Sequence, residues 1–261
     1  MFEEAAMFID THTHLYLPEF KAEIHALILS CIEQKIEKLF LPNIDKSTID
    51  DLLSLSAKYP TVCYPMMGLH PCSVKENYSD ELKEIENSFE KNKYIAVGEI
   101  GIDLYWDSST LAIQKEAFIT QINWAKKWKL PVVIHARNSF DEIFEVLDEY
   151  NDDTLSGVFH CFTGDELQAK KIIAYNNFKL GIGGVVTFKN AGLDNALSNI
   201  ELTHLVLETD SPYLSPVPFR GKRNESTNLI YIAEKLATIY NCSLEKIAIE
   251  TTKNALDVFK L

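Results

Sequence analysis

Six residues of types that can bind divalent cations each follow an apolar run in this chain. They are His12 and His14 in D-T-H-T-H, Glu99 in A-V-G-E-I-G-I-D, His135 in P-V-V-I-H-A-R, His160 in G-V-F-H-C-F and Asp210 in L-V-L-E-T-D-S-P. Residues two apart on a strand share a face, so Asp10, His12 and His14 are expected side by side. Apolar neighbours push each of the six toward a buried position, where an unpaired charge is costly and pairing or metal binding is the usual solution. Singly, each has a bland explanation as a core histidine, a cap or an ion-pair partner. Together, four imidazoles and two carboxylates at strand ends point to a metal site. Nitrogen and oxygen donors without thiolate suit catalytic Zn²⁺, Mn²⁺, Fe²⁺ or Mg²⁺ better than a closed structural zinc site. Six ligands exceed what one catalytic ion needs, so two ions sharing Glu99 is the expected arrangement. Such a pair activates water and clamps both oxygens of an in-line displacement at phosphorus. Cys161, next to His160, is expected on the opposite face as packing.

A second set could hold substrate. His70 lies in M-G-L-H-P, Arg137 lies two residues beyond His135, and Arg220, Lys222, Arg223 and Asn224 share a late loop. Arginine and histidine beside metals suit a bound phosphate. Glu208 could orient a ligand. Tyr105, Trp106, Tyr213 and Phe219 could stack on bases, although loop aromatics are more often packing.

The elements that position these groups alternate. Strand-like runs cover residues 7–14, 38–44, 62–70, 94–102, 131–137, 157–162, 178–186 and 204–210. Helical spacing covers 19–34, 47–58, 79–91, 111–128, 139–150, 165–176, 193–200, 226–240 and 243–259, with Ser139, Asp165, Ser226 and Ser243 where N-caps are wanted. Eight strand–helix units in order predict an α/β fold: a single (β/α)8 TIM-like barrel over residues 1–261 with an extra C-terminal helix. No G-x-G-x-x-G loop follows the first strand, which disfavours a doubly wound sheet. Active sites of such barrels form at the C-terminal ends of the strands, where all six candidate ligands fall. The loop at 211–224, with three prolines and a basic cluster, is expected over that mouth.

Composition narrows the class. The chain has 261 residues, is 46% hydrophobic and 24% charged, and carries a formal net charge of −13. That excludes disorder and a broad basic footprint on duplex nucleic acid. A phosphate-bearing substrate stays open, because bound metals supply local positive charge. Five cysteines without a C-x-x-C read as reduced thiols. Acids near the start, where a signal peptide has cations, and the lack of a membrane-length apolar run give a cytoplasmic expectation.

The pieces F-I-D-T-H-T-H, G-L-H-P, A-V-G-E-I-G-I-D, L-P-V-V-I-H-A-R, F-H-C-F-T-G, L-G-I-G-G-V-V-T-F, L-V-L-E-T-D-S-P-Y-L and R-G-K-R-N-E-S resemble, in order and spacing, the TatD family of metal-dependent deoxyribonucleases among the amidohydrolase-like barrels. The resemblance runs nearly end to end. It implies that His12 and His14 hold a first metal with Glu99 and Asp210, and that Glu99 bridges to a second, completed by His135 and His160. It implies substrate contacts from His70, Arg137 and Asn224. The implied activity is phosphodiester hydrolysis of DNA, often exonucleolytic from the 3′ end, on single strands or 3′ ends. Two divalent ions are implied, with magnesium first and zinc or manganese as alternatives. Glu99 and Asp210 are the expected catalytic carboxylates, with Asp210 orienting the water and accepting its proton. No membrane or obligate protein partner is expected. Two departures bear on substrate preference: Ser226 stands where the family commonly has proline, and Leu104 follows Asp103 where many members have an aromatic residue. The alternatives are another dinuclear hydrolase (deaminase, lactonase or amidase) or a silent metal-binding scaffold. Related barrels of the former kind often use a modified lysine on the fourth strand, where this chain has Glu99 and no lysine after Lys93.

Overall fold

All the apolar runs but the second form strands shorter than their lengths suggest, and the second keeps its length but begins two residues earlier. In the computed structural model, which describes residues 6–261, the strands are β1 (Phe8–Asp10), β2 (Ile36–Pro42), β3 (Cys63–Met66), β4 (Val97–Asp103), β5 (Val132–Arg137), β6 (Gly157–His160), β7 (Phe178–Ile182) and β8 (Leu205–Leu207). The helices are α1 (Ile24–Glu33), α2 (Ile49–Lys58), α3 (Tyr78–Lys91), α4 (Leu111–Trp128), α5 (Phe140–Tyr150), α6 (Glu166–Ala174), α7 (Leu193–Leu197), α8 (Leu229–Ile239) and α9 (Leu244–Phe259). Strand and helix alternate eight times, and α9 is the additional helix.

Every ladder is parallel, in the orders β1-β2-β3 and β4-β5-β6-β7-β8. Two seams join them. Met67 N–H donates to Ala96 C=O (3.1 Å) and Gly98 N–H to Met67 C=O (3.0 Å). On the other side, Thr11 N–H donates to Leu207 C=O at 3.0 Å. The sheet closes on itself, which removes exposed edges.

The core has two layers, because the strands are buried on both faces. Ile9, Phe40, Met66, Ala96, Val133, Val158 and Val206 fill the interior with Ala255, Val258 and Phe259 of α9. The end of α9 thus stoppers one end of the barrel, and the Phe259 ring meets Phe40 edge-on at 4.7 Å. The larger cluster lies between the strands and the surrounding helices.

Interior parity decides which side chains reach the mouth. On β5, Val133 is interior, so His135 is too; on β6, Val158 and His160 follow the same rule. On β4 the register shifts: Val97 pairs with Val132, but Ile100 pairs with Ile134. One extra residue is therefore bulged out between them. Beyond it Ile100 and Ile102 pack outward with the helices, and Glu99, Gly101 and Asp103 turn inward.

Three local expectations are corrected. Strand β1 stops at Asp10, and Ile9, not Asp10, joins the interior cluster. His12 and His14 therefore lie on the segment after the strand, so strand alternation does not explain their pairing. Asp165 caps α6 with a reciprocal box and Ser243 caps α9, but Ser139 instead donates to Ile102 C=O at 2.6 Å. Ser226 lies inside a short helical turn, with its hydroxyl on Thr13 Oγ1 at 3.1 Å.

Candidate metal centre

The interior mouth brings all six candidate ligands around the buried Glu99 carboxylate. His12 Nε2 is 3.1 Å and His14 Nε2 3.7 Å from Glu99 Oε2. His135 Nδ1 is 2.7 Å and His160 Nε2 3.7 Å from Glu99 Oε1. Asp210 Oδ1 stands 3.8, 3.6 and 3.8 Å from the Nε2 atoms of His12, His14 and His160. The His12 and His160 rings stack with centroids 3.4 Å apart.

Hydrogen bonding behind the rings fixes which nitrogen faces the centre. Tyr16 donates its hydroxyl proton to Pro42 C=O at 2.6 Å, so its oxygen accepts from His14 Nδ1–H at 3.0 Å. That leaves the His14 Nε2 lone pair toward Glu99 and Asp210. Glu208 Oε1 lies 2.9 Å from His160 Nδ1, which turns Nε2 of His160 inward in the same way. His135 is held at both nitrogens, by Glu99 and, through Nε2, by Asp103 Oδ2 at 2.9 Å.

Electrostatics follow from this crowding. Burial opposes ionisation of Glu99, yet His70, His12 and His160 hold its carboxyl well below the usual range. Asp210 is likewise lowered, burial being outweighed mainly by His160. Burial works against a charge on His135 and His160. Hydrogen bonds to Asp103 and Glu99 nevertheless raise His135 to about 8, and the charges of Glu208, Glu99 and Asp210 raise His160 to about 10. His12 is pushed down to about 4 by burial and by His160 alongside. Asp103 sits at about 2: burial is overcome by its bonds from His135 and from the Tyr105 and Trp106 amides.

The residues fit divalent cations. Donors shared by one ion, each at about 2.0–2.2 Å from it, lie roughly 3–3.5 Å apart. The separations around Glu99 and Asp210 run from 2.7 to 3.8 Å. Buried His12 Nδ1 and Glu208 Oε2 have no hydrogen-bond partner, which is costly in a site of protein atoms alone. The closest donor groups are His12–His14–Glu99, His70–Glu99–His135, His12–His160–Glu208 and His160–Cys161–Asp210. Cys161 therefore belongs to the site side, against the packing expectation. Its backbone is left-handed (φ 45°), which breaks the alternation after β6. Asn138 (φ 54°) and Asp210 (φ 58°) share that conformation after β5 and β8. Such strained backbone tends to collect at functional sites.

The substrate candidates separate. His70 reaches Glu99 itself: its Nε2 is 3.3 Å from Oε1, while its Nδ1 accepts from Cys72 N–H at 3.0 Å. Its Nε2 therefore carries a proton. Arg137 is exposed at the rim, its guanidinium 3.8 Å from the Tyr105 ring centre. Asn224 does not face the pocket, which corrects its expected substrate contact. It is fully buried; its amide donates to Thr209 C=O and Tyr213 C=O (2.8 and 2.7 Å), and its oxygen accepts from Glu225 N–H and Asn228 Nδ2 (both 2.9 Å). Its hydrogen-bonding capacity is consumed in shaping the loop after β8. Arg223 pairs with Glu23 and Glu225, Arg220 stacks on Phe188, and Phe219 packs on Tyr231.

Two residues of the site escaped the sequence reading. Asp103 is in phase with Glu99, so extending the alternation along β4 would have found it. Tyr16 carries no local signal, because its partner Pro42 belongs to β2.

Comparison with known proteins agrees with this geometry. The family model described as "TatD related DNase" matches residues 9–260. An uncharacterized metal-dependent hydrolase of Bacillus subtilis, YabD, is 35% identical over 256 residues, covering 98% of this chain and 100% of that protein. YcfH of Escherichia coli, also named an uncharacterized metal-dependent hydrolase, is 33% identical and covers 74% of this chain and 72% of its own length. The crystal structure of the E. coli TatD homologue YjjV superposes with a TM-score of 0.92 at 26% identity, over 98% of this chain and 99% of that one. An uncharacterized amidohydrolase from Saccharomyces cerevisiae shares the fold, with a TM-score of 0.84 at 18% identity over 97% of this chain and 99% of that one. The chain belongs to the TatD-related DNase family, whose named relatives are metal-dependent hydrolases.

Proposed function

We propose that this protein hydrolyses phosphodiester bonds of DNA, removing nucleotides from 3′ ends with two divalent cations per chain, magnesium or alternatively manganese or zinc. The observation that carries this reading is the convergence of four imidazoles on the single carboxylate of Glu99, three of which also meet Asp210. His12, His14, Glu99 and Asp210 would hold one ion; Glu99, His135 and His160 would hold the other. Bound there, the ions would lower the pKa of water and neutralise charge building at phosphorus.

The chain's own groups supply the rest. Asp210, ionised and held by backbone that follows β8, orients the attacking water and takes its proton. His70 Nε2–H donates to a phosphoryl oxygen, and Arg137 meets the phosphate from the rim. Tyr16, Glu208 and Asp103 keep the imidazoles turned inward.

The test is a 5′-labelled single-stranded oligonucleotide incubated with metal-loaded protein. Stepwise shortening from the 3′ end is expected, with none in EDTA or with Glu99→Gln. A loaded, folded wild type that cleaves no phosphodiester refutes the reading. Lactone and amide panels run beside it separate the other hydrolases of this fold.

A further inference from the structure

Two large aromatic side chains stand bare at the mouth. Tyr105 is 54% exposed and Trp106 is 71% exposed, both on the loop that leaves β4. The sequence favours packing for loop aromatics, and this exposure overturns that for both. They are held from beneath: Asp103 Oδ1 accepts the N–H of Tyr105 at 2.9 Å and of Trp106 at 3.3 Å. The other oxygen of the same carboxylate meets His135, 2.9 Å away. One acid therefore ties the loop to the wall of the metal centre. Above it, the two rings meet edge-on at 4.9 Å, and the Arg137 guanidinium lies 3.8 Å from one ring centre and 5.5 Å from the other.

This is an exposed cationic and aromatic surface, its two rings at right angles, beside the metal centre. In a protein of net charge −13, contacts to many phosphates supply little of the affinity for a strand. The affinity must come from somewhere else, and exposed π faces supply it when a base is free to stack. Bases inside a duplex are covered on both faces, whereas an unpaired base is free to turn a face to the rings.

We propose that Tyr105, Trp106 and Arg137 form a stacking platform for an unpaired base of a DNA strand whose phosphate lies over Glu99. The proposal rests on the phosphodiesterase reading and adds the residues that hold the unpaired base. Trp106 is its specificity-determining residue.

The test measures binding of fluorescent oligonucleotides by anisotropy in EDTA, with the full chain. One oligonucleotide ends in thymidine at its 3′ terminus, one ends in an abasic nucleotide, and a third is a blunt duplex. Wild type is expected to prefer the thymidine end over the abasic end about 5- to 150-fold. That preference is expected to fall below about twofold in Trp106→Ala and to survive largely in Trp106→Phe, as stacking requires. The duplex is expected to bind no better than the abasic strand. The slope of log affinity against log salt is expected to be shallow, about −0.7 for each phosphate neutralised. Equal wild-type affinity for the three probes, no binding at all, or a preference that Trp106→Ala retains, overturns the platform. Cleavage by loaded wild type is scored separately. Cleavage without base preference removes the platform alone, and base preference without cleavage removes the phosphodiesterase reading.

Discussion

Replacing Glu99 by glutamine tests the centre without depending on any substrate. Five imidazoles lie within 4 Å of this carboxylate. The substitution preserves shape and removes the charge. Breaking a buried charge pair from one side costs about 3–5 kcal/mol. Unfolding entropy of about 2.1 cal/mol/K per residue, over 261 residues, is roughly 0.55 kcal/mol/K. The metal-free variant should therefore melt about 5–9 °C below metal-free wild type. Cation at a hundred times its dissociation constant adds about 2.7 kcal/mol per site to the native state. That corresponds to about 5 °C for one ion and about 10 °C for two by the same entropy. Melting curves in EDTA, then across a titration of Mg²⁺, Mn²⁺ or Zn²⁺, give both quantities. Glu99→Gln should respond by no more than about 2 °C at concentrations that saturate wild type. A variant that melts like wild type in EDTA and gains as much from metal would show that Glu99 does not join two ions.

Three other outcomes follow from the geometry. In metal-free protein, His135 is raised from 6.5 to about 8, so its ion pairs stabilise fully below pH 6.5 and that share is lost as pH rises through 8. The loss is about 2 kcal/mol; the melting gap between wild type and Asp103→Asn in EDTA should shrink from pH 6 to pH 9, and a constant gap would contradict it. In Gly181→Ala the new Cβ would lie 2.3 Å from Glu208 Oε2, displacing the acid behind His160; metal affinity by calorimetry should fall about 10- to 100-fold, and an unchanged value would remove Glu208 from the account. Asn224→Ala deletes the partner of four hydrogen bonds, two buried and two part-buried, and should lower stability by about 2–4 kcal/mol in denaturant unfolding, whereas exposed Arg137→Ala should stay within about 0.5 kcal/mol; equal effects would reverse the roles given to these residues.

Much of the architecture was legible because barrel strands buried on both faces read as continuous apolar runs. Helix α4 matches its sequence pattern at both ends, Leu111 and Trp128. His135 and His160 were legible as inward residues because their strands keep strict alternation. The strand ends were not. The chain leaves the ladder wherever a mouth loop turns a side chain inward, as after Asp10 and before Asp210, and no apolar signal marks that point. Asn224 misled because a loop asparagine that saturates itself with backbone looks, in sequence, like one free to meet a ligand. Cys161 misled because its left-handed backbone cannot be read from alternation.

The bulge in β4 is the feature on which the rest turns. If these same residues paired with β5 in strict alternation from Val97, with no residue bulged out, Glu99 and Asp103 would be turned among the surrounding helices. Two isoleucines would then line a greasy vestibule with nothing to gather cations. Gly98 lies where the frame slips, and a methyl added there would come within 2.7 Å of Val133 Cβ. Whether this barrel is an enzyme or an inert plug is thus set by a phase error of one residue, which sequence alignment could erase by moving a single gap.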